Sequence, residues 1–298
     1  MRAWYTLTAV HVCGVSEGRK HGPSAAFFAD LENRCPSVRR LYLSKAVVNA
    51  PLPASVEFLT LSECSLSPAA FPLTRLDAAT QAVTSPRLRE LELFSVKLQR
   101  GAMTAVPASV QRLRIKNTRL TRESLDGEID ETVSLMEEID LSDSTTLTDS
   151  ELCNLTAVWP HISTLKINGC IMTFNSIFLV MLIFDNLGDA GRLAVLEANG
   201  VSFADNICRV CRHLGGTLRR FCAAGSDLTD HEAALIAADL TSLESLDISG
   251  CQQLTDRCFI MFAGLRATLH YLDVSSTNIS DDTLAMLRLW MPHCEIVR

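Results

Sequence analysis

The sequence predicts an α/β solenoid, on three observations. A phrase of alternating apolar residues recurs along most of the chain. In the second half its copies fall at a near-constant spacing. A Thr-Asp or Ser-Asp pair follows several copies at a matching distance, where a helix would begin. Fixed-period self-similarity of this kind is the signature of stacked supersecondary units, none of which buries its apolar side alone.

The phrase is an apolar residue, one variable residue, a second apolar residue, two variable residues and then a small residue. The clearest copies are LESLDISGCQQLTD from Leu243 and LHYLDVSSTNISDD from Leu269. Others begin at Val38, Val56, Leu88, Val110, Met136 and Ile162, with weaker ones at Leu193 and Leu218. Taking the first inward strand residue of each copy as its anchor gives Leu41, Leu59, Leu91, Leu113, Ile139, Leu165, Leu196, Phe221, Leu246 and Leu272. From Leu113 the steps are 26, 26, 31, 25, 25 and 26 residues. Strand side chains alternate between faces, so the anchor and the second residue after it point into the solenoid, and the residues flanking them point out. The long step from Leu59 to Leu91 is read as hiding one degenerate repeat around Leu76.

The fifth residue after the anchor is small and often polar: Cys64, Thr118, Ser144, Cys170, Ser226, Cys251 and Thr277. A hydroxyl or thiol there is expected to satisfy backbone where the chain leaves the strand. Thr148, Thr229, Thr255 and Ser280 are expected helix N-caps, with helices over 149–158, 230–240, 256–265 and 281–289. The first half carries Pro51, Pro53, Pro68, Pro72, Pro86 and Pro107, and its shorter repeats predict irregular or single-turn connections. The predicted organisation is an N-terminal cap strand and helix over 1–34, then repeats over 35–298. These number about 10 to 11, short over 35–125 and longer with helices over 126–298.

These copies make the chain a leucine-rich-repeat solenoid. The copies LESLDISGCQQLTD and MEEIDLSDSTTLTD resemble the cysteine-containing repeats best known from the substrate-receptor arms of F-box/leucine-rich-repeat ubiquitin ligases. The resemblance covers roughly 35–298 and is strongest from about Leu135. It implies a right-handed α/β horseshoe with a concave parallel sheet, and helices on the convex side mainly in the C-terminal half. It also implies an adaptor role in ubiquitin ligation. Met1–Asn33, however, shows no three-helix F-box pattern.

Composition narrows the function. Across 298 residues the formal net charge is −7, which speaks against a nucleic-acid-binding surface. Eleven cysteines without dense regular spacing suggest reduced thiols rather than a disulfide framework. The longest apolar run, Ile177–Phe184, is far short of the roughly 20 residues of a membrane span and suits a buried helix. The expected location is cytoplasmic or nuclear. Around TLTAVHV the N-terminus reads as a first strand, with a mitochondrial presequence as the alternative.

No catalytic residue, cofactor site or metal site is nominated. HEAAL at His231 lacks the second histidine of a zinc-protease helix and reads as an exposed first helical turn. CRVC at Cys208–Cys211 is a lone pair without the second pair a zinc site needs. The outward strand positions are more informative. Glu90 and Glu92 neighbour Arg112, Arg114 and Lys116, which neighbour Glu137, Glu138 and Asp140. Either these charges neutralise one another across the ladder, or Arg112, Arg114 and Lys116 stay open to an acidic partner peptide. Tyr42, Phe58 and Phe94 are expected on the same face, as interface anchors or under a cap or loop. The expected function is non-catalytic binding of a partner protein, by a monomer within a hetero-complex. The settings considered are a ubiquitin-ligase adaptor, a scaffold or assembly factor, and an enzyme regulator without catalytic residues of its own.

Overall fold

The computed structural model of the chain describes residues 7–13, 25–71, 75–76, 83–84, 87–127, 134–172, 177–203 and 206–298. They form two compact units, Met1–Asp140 and Leu141–Arg298. The fold is an α/β solenoid of leucine-rich-repeat type.

In the first unit the elements run β1 (Ala9–Cys13), α1 (Ala25–Arg34), β2 (Arg40–Ser44), β3 (Val47–Val48), β4 (Phe58–Ser62), β5 (Ser65–Leu66), β6 (Arg75–Leu76), β7 (Val83–Thr84), β8 (Glu90–Phe94), β9 (Lys97–Leu98), β10 (Arg112–Lys116) and β11 (Glu138–Asp140). Parallel pairing runs in the order β1, β2, β4, β8, β10, β11, with the anchors in register: Leu41 beside Leu59, Leu59 beside Leu91, Leu91 beside Leu113 and Leu113 beside Ile139. Each anchor from Leu41 to Ile139, and each residue two after it from Leu43 to Ile115, is almost wholly buried. Strand β4 pairs directly with β8. The expected repeat around Leu76 is therefore absent from the ladder; Arg75–Leu76 instead pairs antiparallel with Val83–Thr84. Behind the main strands β3, β5 and β9 form a second small parallel sheet. It replaces helices where the repeats are too short to hold them, and it buries Val48 and Leu66 completely.

The second unit alternates helices and strands: α2 (Asp149–Val158), β12 (Thr164–Lys166), α3 (Ile177–Ala190), β13 (Val195–Glu197), α4 (Ile207–Leu214), β14 (Arg220–Cys222), α5 (Asp230–Asp239), β15 (Ser245–Asp247), α6 (Asp256–Phe259), β16 (Tyr271–Asp273), α7 (Asp281–Trp290) and β17 (Glu295–Val297). Strands β12 to β17 pair in parallel in sequence order. Thr148, Thr229, Thr255 and Ser280 cap their helices through the side chain, and Thr148–Glu151 and Thr229–Glu232 complete reciprocal capping boxes. The caps also tie neighbours together. Asp230 accepts from the Thr255 backbone at 2.7 Å and its hydroxyl at 2.6 Å, and Asp256 accepts from Ser280 N–H at 2.8 Å. The helix expected over 256–265 changes type: after Phe259 it continues as a 3-10 helix, Ile260–Leu265. Phe259, Phe262 and Leu265 are all buried. Their spacing of three matches three residues per turn rather than 3.6.

The residue four after the anchor adopts a left-handed conformation in every repeat. In the first unit these are Lys45, Glu63, Ser95 and Asn117, with φ of 50° to 54°. In the second they include Gly169, Gly200, Gly225 and Gly250, with φ of 64° to 71°. These residues turn the chain out of the sheet, and most keep their own N–H on a carbonyl of the next repeat: Glu63 on Phe94 at 2.9 Å, Ser95 on Lys116 at 3.0 Å, Gly225 on Ser249 and Gly250 on Ser275 at 2.7 Å. One residue later the small polar side chain reaches back. Cys64 donates to the Leu43 carbonyl at 3.4 Å, Cys170 to Leu141 at 3.2 Å and Cys251 to Ala223 at 3.3 Å. Thr118 contacts the Leu93 carbonyl at 3.5 Å. Ser226 and Thr277 instead donate within their own turn, to Ala223 and Val274.

This geometry predicts opposite signs for two substitutions. Gly250→Ala places a Cβ at a left-handed position and should destabilise the protein by about 1–2 kcal/mol. Ser95→Gly relieves the same strain and should be neutral or stabilising by up to about 1 kcal/mol, the more flexible unfolded chain offsetting part of the gain. Urea unfolding of both variants checks this.

Candidate functional site

The inward side chains of each strand are consumed by the core, so chemistry aimed at another molecule is left to the outward rows. In the first unit the register sets these rows. Arg40, Phe58, Glu90, Arg112 and Glu138 stand side by side, as do His11, Tyr42, Thr60, Glu92, Arg114 and Asp140; Ser62, Phe94 and Lys116 form part of a third. Adjacent members lie about 4.8 Å apart. All six nominated residues fall on this outward face: Tyr42 on β2, Phe58 on β4, Phe94 on β8, and Arg112, Arg114 and Lys116 on β10. Tyr42, Arg112 and Arg114 are exposed, and Phe58, Phe94 and Lys116 are half-buried.

The aromatic rings are held rather than loose. The Arg40 guanidinium lies 4.8 Å from the Phe58 ring centroid, and that of Arg114 lies 6.0 Å from Phe94. His11 meets Tyr42 edge-on at 6.1 Å. The charges pair across the ladder. Arg112 Nη1 is 2.6 Å from Glu90 Oε1, its Nε is 3.7 Å from Glu138, and Arg114 Nε is 3.3 Å from Asp140. Both arginines remain about half exposed or more, so these pairs set orientation more than stability. The sequence reading did not single out Arg40, His11 and Thr60. Their signal was register: each sits in the same row as a nominated residue. Arg219 and Glu244 lie just before β14 and β15 and pair with each other.

Elsewhere, most thiols are buried. Cys211 is buried on α4, and desolvation, with the nearby Asp239 and Cys208 charges, pushes its pKa up to about 12. Desolvation raises Cys251 to about 11. Both thiols are held in the protonated form near neutral pH, whereas the thiolate is the reactive form. His213, two residues beyond Cys211, lies 3.1 Å from Asp185, and His231 is exposed in the first turn of α5. Among the described residues no group of three or more His, Cys, Asp or Glu is placed to hold a metal ion, and no helix is long and apolar enough to cross a membrane.

The fold therefore defines a repeat solenoid that presents a fixed array of side chains on parallel strands. No family model matches the chain, and no curated protein matches it. Among solved structures, an internalin from Listeria monocytogenes strain 4b F2365 aligns with 89% of this chain and 68% of its own, at 14% identity and a TM-score of 0.41.

Iodoacetamide at pH 8 should label the exposed Cys13 of the native protein and leave Cys211 and Cys251 unmodified until denaturant is added. Peptide mass spectrometry checks this; native-state labelling of Cys211 at the rate of Cys13 would contradict the buried placement.

Proposed function

We propose that the chain is a non-catalytic protein-interaction module whose docking face is the outward side of the parallel strands in the first unit. The site is built from Tyr42, Phe58, Phe94, Arg112, Arg114 and Lys116. The observation that carries this reading is the presence of three aromatic side chains on a hydrogen-bonded sheet face, outside the core and anchored by cross-strand partners. Large, pre-oriented aromatic and arginine side chains lose little entropy on binding and dominate interface energetics. In this reading residues 1–34 serve as a cap, and the repeats over 35–298 form the interaction domain.

A substrate-recognition adaptor of a ubiquitin ligase and a scaffold or assembly factor are the two settings proposed for such a module. The cysteine-containing repeat phrase supports the first, since Cys64, Cys170 and Cys251 occupy the same structural place in their repeats. Affinity purification with mass spectrometry separates the settings: recovery of a cullin and its linker protein supports the adaptor, and recovery of subunits of one large assembly supports the scaffold.

Once a partner is in hand, replacing Phe58, Phe94 and Arg114 together with alanine should weaken its binding at least ~100-fold, because hot-spot truncations each cost about 2 kcal/mol or more. The circular dichroism spectrum should be unchanged, since none of the three belongs to the buried core. Undiminished binding would place the docking surface elsewhere.

A further inference from the structure

The charges on the outward face of the first unit do not cancel evenly. Arg112 is bracketed by Glu90 and Glu138, and Arg114 is drawn to Asp140. Arg40 lies over Phe58. Glu92 is different. One of its oxygens accepts a hydrogen bond from the Thr60 hydroxyl at 3.0 Å, and among the described residues no cation pairs with it. Its register neighbour Arg114 lies beside both Glu92 and Asp140 but places its Nε against Asp140.

The surroundings of Glu92 are aromatic. Phe94 stands two residues along the same strand and on the same side, about 7 Å away by strand geometry. Thr60, opposite Glu92, is flanked on its own strand by Phe58 and across the ladder by Tyr42. A carboxylate has about four lone-pair sites, and one neutral donor leaves most of its capacity unused. Ring faces carry negative potential and attract cations within about 6 Å. This face already displays that preference, since guanidinium groups lie against two of the three rings.

We propose that Glu92 is the charge-selecting residue of the docking face, and that it receives a cationic side chain, a lysine or arginine of a protein partner, framed by Tyr42, Phe58 and Phe94. This rests on the docking face proposed above and specifies its chemistry. It also reverses the sign expected from the basic strand alone: Arg112 and Arg114 are committed to carboxylates of the same face, and the carboxylate left over is Glu92. A charge-assisted hydrogen bond gains strength where neighbouring rings limit access of water.

The test uses the full chain to select from a random displayed-peptide library, followed by affinity measurements on the selected peptides. The expected result is enrichment of lysine or arginine beside an apolar residue. Glu92→Gln, which keeps an acceptor for Thr60, should weaken these peptides about tenfold. Replacing the peptide lysine with norleucine should cost the same factor, and the two changes together should cost little more than either alone. Selection of acidic peptides, or affinity unaltered by Glu92→Gln while Phe94→Ala still weakens binding, would overturn the inference and leave the docking face standing. Peptides insensitive to Tyr42→Ala and Phe94→Ala would instead remove the docking face itself. Failure to select any peptide would count against both.

Discussion

A left-handed residue at the end of each strand is the constraint on which the structure depends. A parallel array must leave the sheet at every repeat without orphaning the backbone that turns. The positive φ at positions such as Glu63, Ser95, Gly225 and Gly250 meets both needs, because the turning residue still donates to the next repeat. The small side chain one residue later closes the corner onto a carbonyl of the same or the preceding repeat. At Cys64 and Cys251 the burial that raises the thiol pKa follows from this structural role.

The docking face follows from the same constraint. Fixing the turn fixes the register, and fixing the register sorts side chains into rows whose members meet at strand spacing. Phe58 beside Glu90 and Arg40, and Arg114 between Glu92 and Asp140, are consequences of anchors aligning rather than of local sequence. The inward members are spent on the core, which leaves the outward members available for recognition.

Most of this was legible in the sequence because the repeat is strict. The anchors, the inward residues two later and the Thr or Ser caps obey a fixed spacing, and each has a single physical job. Legibility failed where spacing stopped carrying information. Between Leu59 and Leu91 the length suggested another layer, yet β4 pairs with β8, and the intervening proline-bearing stretch includes the small antiparallel pair β6 and β7. Past Phe259 the apolar spacing of three selected a 3-10 helix that a generic helical pattern does not distinguish. At the site the alternation of charge was readable, but which carboxylate each arginine chooses was not. Arg114 has two acidic neighbours at equivalent register, and only the side-chain geometry shows that it takes Asp140.

Native-state amide exchange tests the central claim most directly. Glu63 and Ser95 have exposed side chains, so an ordinary surface turn would leave their amides open to solvent. If their N–H groups pair with the next strand, they should exchange only on unfolding of the surrounding repeats, as slowly as the strand amides beside them. Exchange of these two amides at the rate of unstructured backbone would contradict the account.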